Sequence, residues 1–291
     1  MNKIDFVVPI VFPDDKEWLV DYRNSPAFPT NPSKDVRFRS WGTEELLLKC
    51  VEKYMPWLNN IHILLARESQ AKQWMQNYHI VYHREFIPEH LLPSFNVCTF
   101  EMWLHKIPNL EEQFIYSNDD FFPLSPLKEE DFFKDGLPCL HHDERPYPNP
   151  PNIFHRFVMS GLNMVASDFG KKYTNTWLRG GHSMMPMLRS TVEKVCTTHA
   201  KEISNCFTPN RSAKNFNQYI FSFYQHLSGK YVDYAPKRQY IGQAQSIQQM
   251  VDAIRDPNAG IVCLNDHENI LDWETRASIA RVEIAQKLGI I

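Results

Sequence analysis

Nowhere in the 291 residues is there an apolar run of the roughly 20 residues that a bilayer-spanning helix needs. The six cysteines, Cys50, Cys98, Cys139, Cys196, Cys206 and Cys263, include no C-x-x-C pair. That excludes a zinc site of the ribbon or finger kind, and several of them sit inside apolar stretches, as small buried thiols do. A reducing, cytoplasmic setting is the expectation. There is no excess of basic charge either: the net charge is −3 and the isoelectric point about 6.5. Neither a nucleic-acid partner nor an anionic membrane surface is therefore indicated. The apolar stretch from Phe6 to Phe12 is short, contains Pro9, follows Asp5 and has no small-residue cleavage site, so it does not read as a secretory signal. Internal repeats and low-complexity segments are also absent.

What is present is an ordinary globular composition, 43% hydrophobic and 22% charged, with length enough for one large domain carrying an insertion. Residues 4–12 read as a buried first strand, followed by a proline-rich loop with Pro13, Pro26, Pro29 and Pro32. Thr43 is placed to cap a helix whose stripe is Leu46, Leu47, Cys50, Val51 and Tyr54, with Glu44 and Glu45 in the first turn, where the helix dipole favours acid. Strands are predicted at 61–66, 80–83 and 114–118, and helices at 69–77 and 97–106. Alternation of this kind argues for a mostly parallel α/β sheet. Pro146, Pro148, Pro150 and Pro151 mark a boundary, after which 153–169, 188–203 and 214–228 read as helices. A late strand, 260–266, and a helix from Asp272 to Leu288 end the chain. The expected organisation is an α/β part over 1–145, a mainly helical insertion over 146–258, and a return over 259–291.

Two strands end alike, in "YSNDD" and "CLND". Ligands of open parallel sheets bind at the carboxyl ends of strands. If both strands belong to one such sheet, Asp119, Asp120 and Asp266 converge there. Neighbouring carboxylates repel unless neutralised, and hard oxygen donors suit Mg²⁺ or Mn²⁺ held against a phosphate. "HHDE" at 141–144 is contiguous and suits an exposed loop better than one coordination sphere. The aromatic run "FNQYIFSFYQHL" reads as core packing, with a sugar platform at Tyr219 or Tyr224 as the alternative.

Four blocks in order carry a family resemblance: "IDFVVPI" at 4–10; "RFRSWGTEELLLKCVEKYMPWLNNIHIL" at 37–64, continuing through "FIPEHLLPSFNVCTFEMWLHKIPNLEEQFIYSNDDFF" at 86–122 to "DFFKDGLPC" at 131–139; "GHSMMPMLRST" at 181–191 with "NRSAKNFNQYIFSFYQHLSGKYV" at 210–232; and "CLNDHE" at 263–268. Together they cover most of the chain and resemble the Stealth proteins, bacterial capsule phosphotransferases related to the lysosomal-enzyme GlcNAc-1-phosphotransferase. Where the family reads Arg-Asp, Arg39 is followed here by Ser40, so no role of that acid carries over.

The resemblance implies transfer of hexose-1-phosphate from a nucleotide sugar such as a UDP-hexose to a hydroxyl of a glycan acceptor, lipid-linked or not, with release of a nucleoside monophosphate. It implies a mostly parallel Rossmann-like sheet of the nucleotide-sugar-transferase type with an inserted helical region, and synthesis of capsular or exopolysaccharide by a compact catalytic unit in the cytoplasm, at the inner face of the membrane where the capsule assembly machinery sits. Mg²⁺ or Mn²⁺ is the expected cofactor, on Glu101, Asp120 and Asp266. His182 is the expected general base, with Asp119, Asp120 and Arg211 beside it in catalysis. Asp5, Arg39, Asn96, Arg189 and Asn265 are expected to bind substrate. Two alternatives stay open: a metal-dependent glycosyltransferase that releases a nucleoside diphosphate, and a non-catalytic carbohydrate- or nucleotide-binding module.

Overall fold

A computed structural model describes residues 3–30 and 36–291; Pro32 of the expected loop lies outside them. In chain order the strands are β1 (Ile4–Pro9), β2 (Ile61–Leu65), β3 (His79–Tyr82), β4 (Gln113–Tyr116), β5 (Phe121–Pro123), β6 (Phe133–Lys134), β7 (Leu137–Leu140), β8 (His142–Pro146), β9 (Thr176–Gly180), β10 (Met185–Leu188), β11 (Val232–Asp233), β12 (Arg238–Ile241) and β13 (Ile261–Leu264). The α-helices are α1 (Lys16–Asn24), α2 (Glu44–Tyr54), α3 (Val97–Glu101), α4 (Ile153–Ala166), α5 (Arg189–Thr198), α6 (Ala200–Ser204), α7 (Tyr219–Leu227), α8 (Ile247–Arg255) and α9 (Trp273–Leu288).

The central sheet has five strands in the order β10-β4-β1-β2-β3. β1 runs parallel to β2 and β4, and β2 parallel to β3, while β10 joins antiparallel to β4. Strands covered on both faces read as continuous apolar runs, and β1 does: Phe6 and Val8 pack on one side, Val7 on the other. The first core layer adds Ile63, Ile115, Leu47 and Val51 and the helices α8 and α9. The second joins Leu64, Phe114, Tyr116 and Met187 to α4, α5 and α7. The fold is thus α/β with a mostly parallel central sheet.

Two sequence expectations are corrected. The late strand does not rejoin the parallel sheet: β13 lies in a second sheet, order β12-β13-β5, parallel to β12 and antiparallel to β5. Within 146–258, α4 to α8 stand beside short strands, of which β10 extends the central sheet and β12 the second one. The expected helix over 69–77 is two single 3₁₀ turns, Glu68–Gln70 and Gln73–Met75. Inside the expected proline-rich loop stands α1, capped by Asp15, whose carboxylate accepts from the Trp18 amide at 2.7 Å. The signal for it, Asp ahead of an amphipathic run, was there to be read.

Candidate active site

One cavity of about 550 Å³ opens at the carboxyl ends of the parallel strands. Its wall includes Pro9 and Ile10 after β1, Leu64 and Ala66 at β2, Asn118 to Asp120 after β4, and Leu264 to Asp266 at the end of β13. That position follows from topology, because connections that leave strand ends in one direction leave a crevice between them. The turn between β4 and β5 brings the two acidic endings together: the Leu264 amide donates to the Asp120 carbonyl at 2.9 Å.

Asp119 and Asp120 both face this cavity. Burial, the neighbouring Asp120 and Glu44 push the Asp119 carboxyl up to about 7. Burial also raises Asp120, against pulls from His182, the Cys263 thiol and Arg211. The Cys263 thiol donates to Asp120 Oδ2 at 3.4 Å, and Asp120 Oδ1 is buried without a partner. Among the described residues, Asp120, His182 and Cys263 are the single group of three whose possible metal-ligating atoms all lie within 4.8 Å of one another. The expected trio of Glu101, Asp120 and Asp266 does not meet in this way. Cys263 was missed because a cysteine inside an apolar strand reads as core; its adjacency to "LND" was the signal available.

His182 sits in the loop between β9 and β10 with Nδ1 3.4 Å from the Tyr219 hydroxyl and its ring edge-on to Phe121 at 4.8 Å. Its surroundings hold it below the ordinary histidine value: burial lowers it, Asp120 raises it and Arg211 lowers it. That direction favours the neutral imidazole, the form able to accept a proton. Gly181 beside it leaves room for the Arg238 guanidinium, which a Cβ there would meet at 2.1 Å and push aside. Arg211 also lines the cavity and has no ion-pair partner among the described residues. Its charge reaches Glu101, Asp120 and His182.

The antiparallel course of β10 separates two residues expected to act together. His182 precedes Met185, which pairs with Tyr116 near the carboxyl end of β4. Arg189 follows Leu188, which pairs with Gln113 at the amino end. Arg189 is therefore exposed at the far edge of the sheet, its amide donating to the Glu112 carbonyl at 2.8 Å, and it does not line the cavity. Asp5 is likewise at the wrong end of the sheet, about 13 Å from Pro9 at the usual strand rise. It is fully buried. It accepts from Asn59 Nδ2 at 3.0 Å, the Asn60 amide at 3.1 Å and the Glu111 amide at 3.0 Å, and meets His62 Nε2 at 2.9 Å. Burial works to raise its pKa, and those hydrogen bonds outweigh it and hold it low. Asp5 ties the amino ends of β1, β2 and β4, and is not a substrate contact.

Arg39 and Asp266 face each other across the cavity rim as a two-pronged pair. Arg39 Nε donates to Asp266 Oδ2 at 2.6 Å and its second nitrogen to Oδ1, while the guanidinium lies 4.7 Å over the Trp273 ring. Both Asp266 oxygens are thus engaged by Arg39, and neither belongs to the close group around Asp120. Glu101, at the end of α3, is buried under the cavity. It accepts from the Tyr116 hydroxyl at 3.2 Å and the Gln218 amide at 3.1 Å, and burial pushes its carboxyl up to about 8. Asn96 lines the cavity, yet its side chain is spent on structure. Oδ1 caps α3 through the Cys98 amide at 3.2 Å, and Nδ2 donates to the Thr208 carbonyl and Asn215 Oδ1. Buried Asn215 was missed; its bonds to Cys206, Thr208 and Ser212 fix the loop that carries Arg211. Asn265 lines the wall, with Nδ2 on the Asp266 carbonyl at 2.9 Å. Ser40, where the family pattern departs, donates to the Glu44 carboxylate and receives the Gly42 amide at 2.9 Å. Glu44 in turn bears on Asp119, a link that no motif revealed.

The "HHDE" segment does not form one coordination sphere. His141 bonds Asp233 and Asp143, whereas His142 turns inward to Ser222 Oγ at 3.2 Å.

The model of a protein family described as "Stealth protein CR2, conserved region 2" matches residues 37–139. A receptor polysaccharide phosphotransferase of Streptococcus gordonii is 28% identical, over 94% of this chain and 93% of its own. A capsular polysaccharide phosphotransferase of Haemophilus influenzae is 30% identical over 79% of this chain and 67% of its own. A crystal structure of the galactosyltransferase LgtC with donor and acceptor sugar analogs covers 95% of both chains at 12% identity and a TM-score of 0.44. A likeness that loose carries no argument about chemistry.

Proposed function

The chain belongs to the Stealth family, and from that premise we propose that it moves a sugar-1-phosphate from a nucleotide sugar to a hydroxyl of an acceptor glycan, building phosphodiester links in capsular or exopolysaccharide. The observation that carries this reading is the meeting of His182, Asp119, Asp120 and Arg211 around one cavity at the strand ends. The relatives, named as polysaccharide phosphotransferases, support it.

In the proposed reaction the acceptor oxygen attacks the phosphorus next to the sugar. The bond from that phosphorus to the bridging oxygen breaks, and the nucleoside monophosphate leaves with the electron pair. His182, kept neutral, takes the hydroxyl proton. Tyr219 fixes the imidazole through Nδ1, which leaves Nε2 for the substrate. Arg211 offers a planar fork to the phosphate oxygens, whose charge is spread over several atoms in phosphoryl transfer. The Arg39–Asp266 pair holds the two sides of the rim in register, so that donor and base keep the spacing in-line attack requires.

The residues fit a divalent cation, since Asp120 Oδ1 is a buried carboxylate oxygen without a partner and the Asp119 carboxyl stands beside it. Asp119 and Asp120 would hold Mg²⁺ or Mn²⁺, which would offset their repulsion and the phosphate charge.

The test is the identity of the released nucleotide, read by chromatography with UDP- and GDP-sugars, candidate acceptor glycans, and Mg²⁺ or EDTA. Monophosphate release that depends on acceptor supports the reading. Diphosphate release would make the protein a glycosyltransferase and overturn it.

A further inference from the structure

A second cavity, about 660 Å³, lies on the other side of His182. The two cavities share Phe154, His182 and Tyr219 as a common wall, so the imidazole stands between them. The acidic residues face the first cavity. The second is built from different chemistry. Arg145, Arg179 and Arg238 line it against the single carboxylate of Asp143, and that carboxylate is already bonded to Arg145 at 2.6 Å and His141 at 3.0 Å. Arg179 and Arg238 are exposed and have no ion-pair partner among the described residues. Arg238 lies over Gly181, whose missing side chain leaves the guanidinium the space it occupies. Two aromatic faces complete the wall: Tyr240, 50% exposed with its ring 6.0 Å from that of His182, and Phe154, 37% exposed.

Two uncompensated guanidiniums beside exposed aromatic faces match a ligand that is part anion and part sugar ring. Guanidinium forks take phosphate oxygens, and aromatic rings take the apolar face of a pyranose. We infer that this second cavity is the acceptor subsite and that the acceptor it takes is a phosphate-bearing glycan. Arg179 and Arg238 grip its phosphate while Tyr240 and Phe154 stack its sugars and aim one hydroxyl at His182. The inference rests on the proposed phosphotransfer and adds to it the charge of the acceptor and the side from which it enters. The phosphate can be a phosphodiester within a growing chain or a glycosyl pyrophosphate at its end; the geometry fixes the shared chemistry.

The experiment is calorimetric titration of the full chain with three oligosaccharides of one sugar sequence: neutral, with an internal phosphodiester, and with a terminal glycosyl pyrophosphate. At least one phosphate-bearing probe should bind tenfold or more tighter than the neutral one. The advantage should shrink as salt rises and vanish in the double variant Arg179→Gln/Arg238→Gln, while Tyr240→Ala weakens all three. Which phosphate probe wins distinguishes the two sources. Equal binding of neutral and charged probes overturns the inference, as does a double variant that binds the probes like the parent. Far-UV circular dichroism and unchanged affinity for a nucleotide sugar separate loss of the subsite from loss of fold. Because the readout is binding, the identity of the released nucleotide can overturn the proposed reaction without deciding this one.

Discussion

At the scale of single residues, position within the sheet decided which candidates count. His182→Ala should retain nucleotide-sugar affinity and lower turnover about 10²–10⁴-fold, the usual contribution of a positioned general base; steady-state rates beside donor affinity measure it, and a variant with near-normal turnover would remove the imidazole from the reaction. Arg39 is a different case. Its pairing with Asp266 leaves each side chain under a fifth exposed. Arg39→Ala leaves a carboxylate that has lost both guanidinium hydrogen bonds and keeps only the His267 amide, and should cost about 2 kcal/mol, below the figure for a fully buried pair. Urea denaturation reads it, and Arg39→Ala/Asp266→Ala should recover part of the loss. The two residues were legible separately in the sequence as charged motif positions. Their partnership, 227 residues apart, was not.

At the scale of elements, packing of α4 on α7 forms the floor of the second core layer. A Cβ on Gly161 would come within 2.6 Å of Ile220 Cγ2 and 3.5 Å of Phe216. Gly161→Ala should therefore destabilise the protein by about 1–3 kcal/mol through overpacking, although alanine is the better helix former. A lower denaturation midpoint checks this, and a raised one would mean that α7 can shift. The helices α2, α4 and α9 were legible from spacing and caps because local pattern fixed them. The short strands β9, β10 and β12 were not. A four- or five-residue strand has little periodicity of its own, and its existence depends on a distant partner. β10 shows the consequence: its antiparallel pairing alone carries His182 to the site and Arg189 away from it.

At the scale of the whole molecule, two sets of buried groups titrate against each other. His83 and His105 are held down to about 4, mainly by burial, so the unfolded chain binds their protons first and acid destabilises through them. Glu101 is pushed up to about 8 by burial, so the folded chain binds its proton first and alkali destabilises through it. The two slopes oppose each other between pH 5 and 8, and variants should expose each. His83→Gln should gain about 2 kcal/mol on the parent between pH 7 and 5. Glu101→Gln should gain about 2 kcal/mol on it between pH 6 and 8. Denaturation curves at each pH measure both, and differences independent of pH would show that these groups titrate alike in both states.

The sequence by itself determined the class of fold, the family and the chemical types present. Alternating apolar runs require an α/β sheet, and adjacent carboxylates at a strand end require something to neutralise them. Tertiary structure alone decided which of those residues share a site. Asp5 and Asp120 are both acids near strands that pair with each other or lead on from them, and only the strand direction puts one at the closed end of the sheet and the other in the cavity. Cys263 and Asn215 lie inside the family blocks, yet their residue types announce no role, because what they do depends on where Asp120 and Arg211 arrive in space. Sequence spacing records neighbours along the chain, while charge, burial and hydrogen bonding act between neighbours in space, and here the two coincide only in part.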